Sequence, residues 1–274
     1  GFGYWVSLTI PVQWFPEKKG LITGVAAAGF GLGAVFISAI AEKMLIAGKD
    51  VLEVVQFIGI VYGLTVILFS NLITPNSDLS KSGVVAIRIK ECISSTIFLK
   101  LFSGIFLGTF AGLLIIGSLK IIGEQSNINN HILILGVSVF AASNFLGRLI
   151  WGFLSDYIGA SLSIFLALLI QSLAILSLNL FSLSDHTYLL LSFLIGFGFG
   201  GNFVLFAKEA AQLYGVQKLG LIYPYVLLGH AIAGIAGPAV GGILFDFSDS
   251  FFYAILVASI MSLIGSVLFF KTIH

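Results

Sequence analysis

An all-α membrane bundle of about nine transmembrane helices is the fold this sequence predicts, and three observations predict it. Of the 274 residues, 58% are hydrophobic and only 9% are charged, against roughly 25% charged in a soluble domain. So few charges cannot wet the surface of a soluble fold of this size, so lipid must be the solvent for most of the chain. The apolar runs are long and continuous, matching the roughly 20 residues a helix needs to cross a hydrocarbon core about 30 Å thick. Only helices and closed barrels satisfy their backbone amides in lipid, and nothing here resembles the alternating strands of about 10 residues that build a barrel. Finally, the basic residues divide unevenly between the two ends of these runs, with ten of the 13 Lys and Arg on one side.

In chain order, the first run, 1–15, is short and reads as truncated, because the chain opens without Met inside an apolar segment. No charged n-region precedes it, so it does not read as a signal peptide. Full-length runs follow near 20–40, 54–73, 95–119, 131–153, 162–181, 188–207, 219–245 and 251–270. Two connections are long and polar. Residues 41–53 carry Glu42, Lys43, Lys49, Asp50 and Glu53, and 74–94 carry Pro75, Asn76, Asp78, Lys81, Arg88, Lys90 and Glu91. The second is the natural linker between two groups of helices. The expected organisation is therefore 1–73 as the last three helices of an N-terminal bundle, 74–94 as linker and 95–274 as a six-helix C-terminal bundle. One side of the spans carries Lys18, Lys19, Lys81, Arg88, Lys90, Lys100, Arg148, Lys208, Lys218 and Lys271, and the other only Lys43, Lys49 and Lys120. The excess of positive charge marks the cytoplasmic side. It places the linker and the C-terminus in the cytoplasm and the protein in the cell (inner or plasma) membrane.

The chain also repeats itself. Lys18-Lys19-Gly20-Leu21-Ile22 returns as Lys218-Leu219-Gly220-Leu221-Ile222, and Gly1-Phe2-Gly3 as Gly198-Phe199-Gly200. Both pairs lie six helices apart in the same orientation, the period of a transporter built from two parallel halves. On that reading three further helices precede Gly1.

Several function classes drop out. The net charge of +1 offers no field for nucleic acid, and the single cysteine, Cys92, forms no metal-type spacing. No cofactor is implied. No nucleophile motif, His cluster or carboxylate pair lies within the spans, so an enzyme is not expected. The lipid bilayer is the one partner the composition demands.

The chemistry sits in a few constellations. Gly147-Arg148-Leu149-Ile150-Trp151-Gly152-Phe153-Leu154-Ser155-Asp156 closes one span on the basic side. Its glycines permit close helix approach, and an Arg and an Asp near a helix end can pair and hold a gate. Gly237-Pro238-Ala239-Val240-Gly241-Gly242 lies late in the next-to-last span, where proline removes a backbone donor. Tight packing and a flexing role are both open there. Asn144 precedes Arg148 by four residues, so the two share a helix face. A buried Arg costs about 2.5–3.5 kcal/mol on insertion scales unless it meets a partner or a wet cavity. His230 lies mid-span, with a hydrogen-bonded histidine inside the bundle as the alternative reading. Tyr4, Tyr62, Tyr223 and Tyr225 serve equally as cavity lining, packing or interfacial anchors. Lys208-Glu209 and Lys100, near span ends, read as snorkelling.

The G-R-x-x-x-G-x-x-S-D run resembles the loop signature of the major facilitator superfamily, which follows the second helix of each half. Trp14-Phe15-Pro16-Glu17-Lys18-Lys19-Gly20, Thr23-Gly24, Ala28-Gly29-Phe30-Gly31-Leu32-Gly33, Thr109-Phe110-Ala111-Gly112-Leu113 and Gly200-Gly201-Asn202-Phe203 resemble the oxalate:formate antiporter family within it. The resemblance covers essentially the whole chain. It implies a major facilitator fold and secondary transport of a small organic anion, a mono- or dicarboxylate, by antiport or proton symport. Arg148 and Asn144 would line the cavity, with His230, Tyr4 and Asn202, while Gly147, Gly152, Asp156, Gly237 and Pro238 would serve gating and structure. An arginine's planar fork suits a carboxylate. Oxalate transporters of this kind place a lysine near His230, and this chain has none there, which favours a monocarboxylate or a titrating His230 in proton coupling. The competing expectations are a facilitator-type porter for a neutral or amphipathic solute, with Arg148 purely structural, and a non-functional fragment of a transporter.

Overall fold

The computed structural model describes residues 2–15, 17–74 and 89–270, without the side chains at 2–5, 30, 32, 34, 35, 38, 89 and 90. Every regular element among the described residues is a helix: α1 (Phe2–Trp14), α2 (Lys19–Ile46), α3 (Val51–Ser70), α4 (Ile89–Ile93), α5 (Thr96–Gln125), α6 (Asn130–Ile158), α7 (Ala160–Leu180), α8 (Asp185–Tyr214), α9 (Val216–Ser248) and α10 (Phe252–Phe270). Seven of them, α3 and α5 to α10, are long and apolar enough to cross a membrane. α2 has 28 residues, about 42 Å at 1.5 Å per residue, and α1, at 13 residues, is the short first run. The structure thus has the all-α membrane architecture the sequence predicts. Most of the proposed linker, 75–88, lies outside the described residues.

Short polar residues cap three of the helices in the C-terminal part of the chain. Ser95 caps α5 by accepting from the Phe98 amide at 3.2 Å, and Asn129 caps α6 through the His131 amide at 3.1 Å. Ser184 and Thr187 form a reciprocal capping box on α8, satisfying donors that an uncapped helix leaves open. Gly159 and Gly215, with φ of +87° and +82°, make the sharp turns into α7 and α9, a conformation that side chains resist.

Helices α5 to α10 pack closely on one another: α6 on α8, α5 on α9 and α10, and α7 on α8 and α10. Two apolar cores run through them. One centres on Leu114, Ile115, Leu119, Tyr188 and Ile195. The other, around Leu101, Ile105, Phe206, Tyr223 and Phe269, also takes in Leu8 of α1 and Ala27 of α2. α2 lies along α6 and touches α8, and α1 bridges α2 and α9. Polar hydroxyls inside the bundle bond to carbonyls of neighbouring helices, as Ser172 does to Ser259 at 2.8 Å and Ser262 to Leu168 at 2.9 Å.

Candidate functional site: a clamped helix end and a buried arginine

α2 begins without a cap of its own: its N-cap residue is Lys18, whose side chain accepts no hydrogen bond. The acceptor comes from α6 instead. Asp156 takes the Gly20 amide on Oδ1 and the Leu21 amide on Oδ2, both at 2.9 Å. The carboxylate thereby satisfies two orphan donors and meets the positive end of the helix dipole. Lys208 of α8 reaches the same carboxylate, with Nζ 2.6 Å from Oδ1 and 3.1 Å from Ser155 Oγ. The pair is largely buried, with 3% of the Lys208 and 13% of the Asp156 side chain exposed.

Two expectations are corrected here. Asp156 pairs with Lys208 and not with Arg148, because eight residues of helix set Arg148 about 12 Å further along α6. And Lys208 does not snorkel, since α8 packs on α6 and delivers the ammonium to a largely buried carboxylate. Its neighbour Glu209 is buried too and accepts from Ser161 Oγ at 2.6 Å. Lys100 lies over the Phe269 ring at 4.3 Å.

Glycines bring α2 and α6 into backbone contact at this end. A Cβ on Gly152 would stand 2.5 Å from the Gly20 carbonyl oxygen, and one on Gly24 would stand 2.6 Å from that of Arg148. Gly147 faces the Phe197 carbonyl of α8 in the same way.

Further along the same face of α6, the guanidinium of Arg148 crosses to α2. Nη1 donates to the Ala27 carbonyl at 2.6 Å, and Nε donates to Asn144 Oδ1 at 3.2 Å. The group also lies over the Phe203 ring of α8, 4.9 Å from its centroid, a cation–π contact. On Phe203 rests His230 of α9, edge to face at 4.9 Å. The Tyr223 hydroxyl donates to the Phe203 carbonyl at 3.2 Å and fixes that part of α8. His230 Nδ1 is buried and has no hydrogen-bond partner. Arg148 itself is 7% exposed.

Of the residues singled out by sequence, Arg148, Asn144 and His230 converge, through the aromatic ring of Phe203. Asn202 does not join them. It is 1% exposed and turns toward α5, where a Cβ on Gly108 would lie 2.8 Å from its Oδ1. Gln171 approaches the same place, donating to the Gly108 carbonyl at 2.8 Å. Tyr4 lies on α1, but its side chain is outside the described residues. Gly237 packs on α5, with a Cβ position 2.9 Å from the Phe110 carbonyl, while Pro238 is exposed within an unbroken α9. Among the described residues no cluster of His, Cys, Asp or Glu could hold a metal.

The contact between α2 and α6 is confined to one end. The α6 stripe that carries Gly152, Arg148 and Phe145 against α2 continues at helical spacing through Ala141, Val137 and Ile134. These three are exposed, Val137 by 40% and Ile134 by 60%. The two helices are thus clamped at the Asp156 end, and the Arg148 guanidinium makes a second link to α2 about two turns along α6.

The sequence profile of the Major Facilitator Superfamily matches this chain twice, over residues 1–223 and 101–274. The oxalate:formate antiporter of Oxalobacter formigenes is 26% identical over 88% of this chain and 59% of its own. An uncharacterized MFS-type transporter of Escherichia coli is 26% identical over 86% of this chain and 60% of its own. The apicoplast pyruvate carrier 1 of Toxoplasma gondii is 23% identical over 86% of this chain and 55% of its own. The chain therefore spans less than two thirds of the length of these relatives.

Proposed function

The chain belongs to the Major Facilitator Superfamily, a family of transporters rather than enzymes, and on that premise we propose that it carries a small organic anion, a mono- or dicarboxylate, across the membrane by alternating access. One observation carries this reading. The gate carboxylate, Asp156, is held by Lys208 and the α2 amides, while the Arg148 guanidinium lies about two turns deeper, on an aromatic face beside His230. A cation buried at that depth is costly unless it serves a ligand or a partner, and its fork matches a carboxylate. The names of two relatives, an oxalate:formate antiporter and a pyruvate carrier, support the same substrate class. His230, with its unpartnered Nδ1, is the second polar group facing the anion. It favours a monocarboxylate, by antiport or with a proton carried on the imidazole.

Residues 1–73 then supply the last three helices of one bundle, 74–94 a cytoplasmic linker and 95–274 the second bundle, in the cell membrane with the C-terminus inside. The clamp between α2 and α6 is the closed cytoplasmic gate of a state open to the outside. Asp156, Gly147, Gly152 and Gly237 serve gating and packing, and Pro238 lies on the exposed side of α9.

The test is uptake of radiolabelled pyruvate, formate and oxalate into proteoliposomes holding the full-length protein. Arg148→Gln should abolish uptake of whichever anion the wild type carries while the protein still inserts. Undiminished uptake by the variant would rule out the assignment.

A further inference from the structure

Resting on the reading of Arg148 as the anion site, we propose that the same guanidinium is the latch that keeps the unloaded carrier shut at the Asp156 end, and that an arriving carboxylate releases it. The guanidinium does not wait in open space. Its Nη1 spans the interface between α6 and α2 to the Ala27 carbonyl at 2.6 Å, and a Cβ on Gly31, one turn further along α2, would lie 3.8 Å from the same nitrogen. Arg148 is therefore a cross-bundle tie as well as a ligand group, one that lies about two turns along α6 from the Asp156 clamp.

The two acceptors differ in strength. Ala27 offers a neutral carbonyl that helix geometry already pairs with the amide four residues on, so it loses little when the guanidinium leaves. A carboxylate offers two charged oxygens to the fork, and hydrogen bonds between charged partners are roughly twice as strong as neutral ones. A substrate that captures the guanidinium thus removes a bond between α2 and α6, while the Asp156 clamp and the close glycine packing remain. A ligand shifts a conformational equilibrium only through such differential contacts, and here the contact exchanged is named. The functional consequence is that the empty carrier seldom opens its Asp156 end, so release of internal substrate depends on a carboxylate supplied from the opposite side.

The full-length protein with Cys92→Ser, spin-labelled at cysteines replacing Glu17 and Tyr157 on the two sides of the clamp, reports opening as a longer label distance. Without ligand, Arg148→Gln and Gly31→Val should each raise the long-distance population about tenfold to a hundredfold, the range expected for loss of one hydrogen bond from a charged donor. Gly31→Val adds two methyls beyond a Cβ position that itself would lie 3.8 Å from Nη1, crowding the guanidinium without removing any charge, so it keeps the test alive if Arg148→Gln fails to fold. Pyruvate, formate or oxalate should move the wild type in the same direction. If both variants stay at the short distance while Arg148→Gln loses the carboxylate-induced thermal stabilisation of the wild type, the latch is overturned and the anion site stands. If no carboxylate stabilises or moves the wild type, the anion site itself falls, and the release mechanism with it.

Discussion

Asp156 answers to two helices at once, and this sets what its partners are worth. Lys208 belongs to the helices that Asp156 itself packs with, whereas the Gly20 and Leu21 amides belong to α2. Were α2 to move away, the carboxylate would keep its ammonium and lose only the amides. Removing the ammonium is a different matter, because it leaves a mostly buried carboxylate short of its cation. Lys208→Met should therefore lower stability by about 3–5 kcal/mol, the cost of breaking a buried pair from one side. The double variant Lys208→Met, Asp156→Asn should recover part of that loss. Thermal unfolding in detergent measures both, and a double variant no more stable than Lys208→Met alone would contradict the pairing. None of this was visible locally in the sequence. Lys208 sits 52 residues from Asp156, and a lysine near the end of an apolar run looks like any interfacial lysine. Arg148 and Asn144 were legible because a four-residue spacing fixes a shared face. Phe203 was not, since one phenylalanine among 26 carries no sign that a cation rests on it.

Helices were far easier to read than contacts. The apolar runs gave every long helix, because lipid leaves the backbone no alternative. The ends are less exact, since a charged residue in an apolar run reads as a stop. α5 continues past Lys120 to Gln125, supported by a Lys120–Glu124 pair one turn apart at 3.5 Å. α8 runs on through Lys208-Glu209 to Tyr214 because those charges find partners inside the bundle. The five-residue α4 in the polar stretch had no apolar period to announce it. At this scale glycines divide by what faces them. Gly152 meets the backbone of α2, which cannot yield as a flexible side chain can, so Gly152→Val should prise α2 from α6 and populate the state open at the Asp156 end. In the distance measurement between Glu17 and Tyr157 it should mimic substrate. Gly59 in α3 has nothing within 4 Å of its Cβ position. Gly59→Ala should leave that distance unchanged and stabilise the helix by up to about 1 kcal/mol. Equal effects of the two changes on the distance would mean the interface is not held by close approach. Ser184→Ala, which removes the capping box of α8, should cost about 1 kcal/mol in thermal unfolding.

For the molecule as a whole, the decisive question is which side of the membrane the clamp faces. The sequence repeats noted at the starts of α2 and α9, and in α1 and α8, fall on helices of matching order in the structure. They run parallel if the two halves are alike. The helices that follow the repeats are unequally covered: α10 packs on α5 and α7, whereas α3 rests on α2 and buries Val54. Orientation cannot be taken from packing, because a bundle upside down packs equally well. It comes from charge, and the basic residues gather at the clamp end, where Lys18, Lys19, Lys208 and Lys218 lie. Positive charge is retained in the cytoplasm during insertion, so the clamp should face inward and the exposed Val137 and Ile134 end of α6 outward. Single cysteines in a Cys92→Ser background can decide this. With His186→Cys at the exposed start of α8 and Gln217→Cys at the exposed start of α9, a membrane-impermeant maleimide applied to intact cells should label the first and spare the second until the cells are permeabilised. The reverse pattern would put the clamp on the outside and the opposite end of α6 in the cytoplasm. Anions would then load from inside in the state described here, and the dependence of release on an external carboxylate would invert with it.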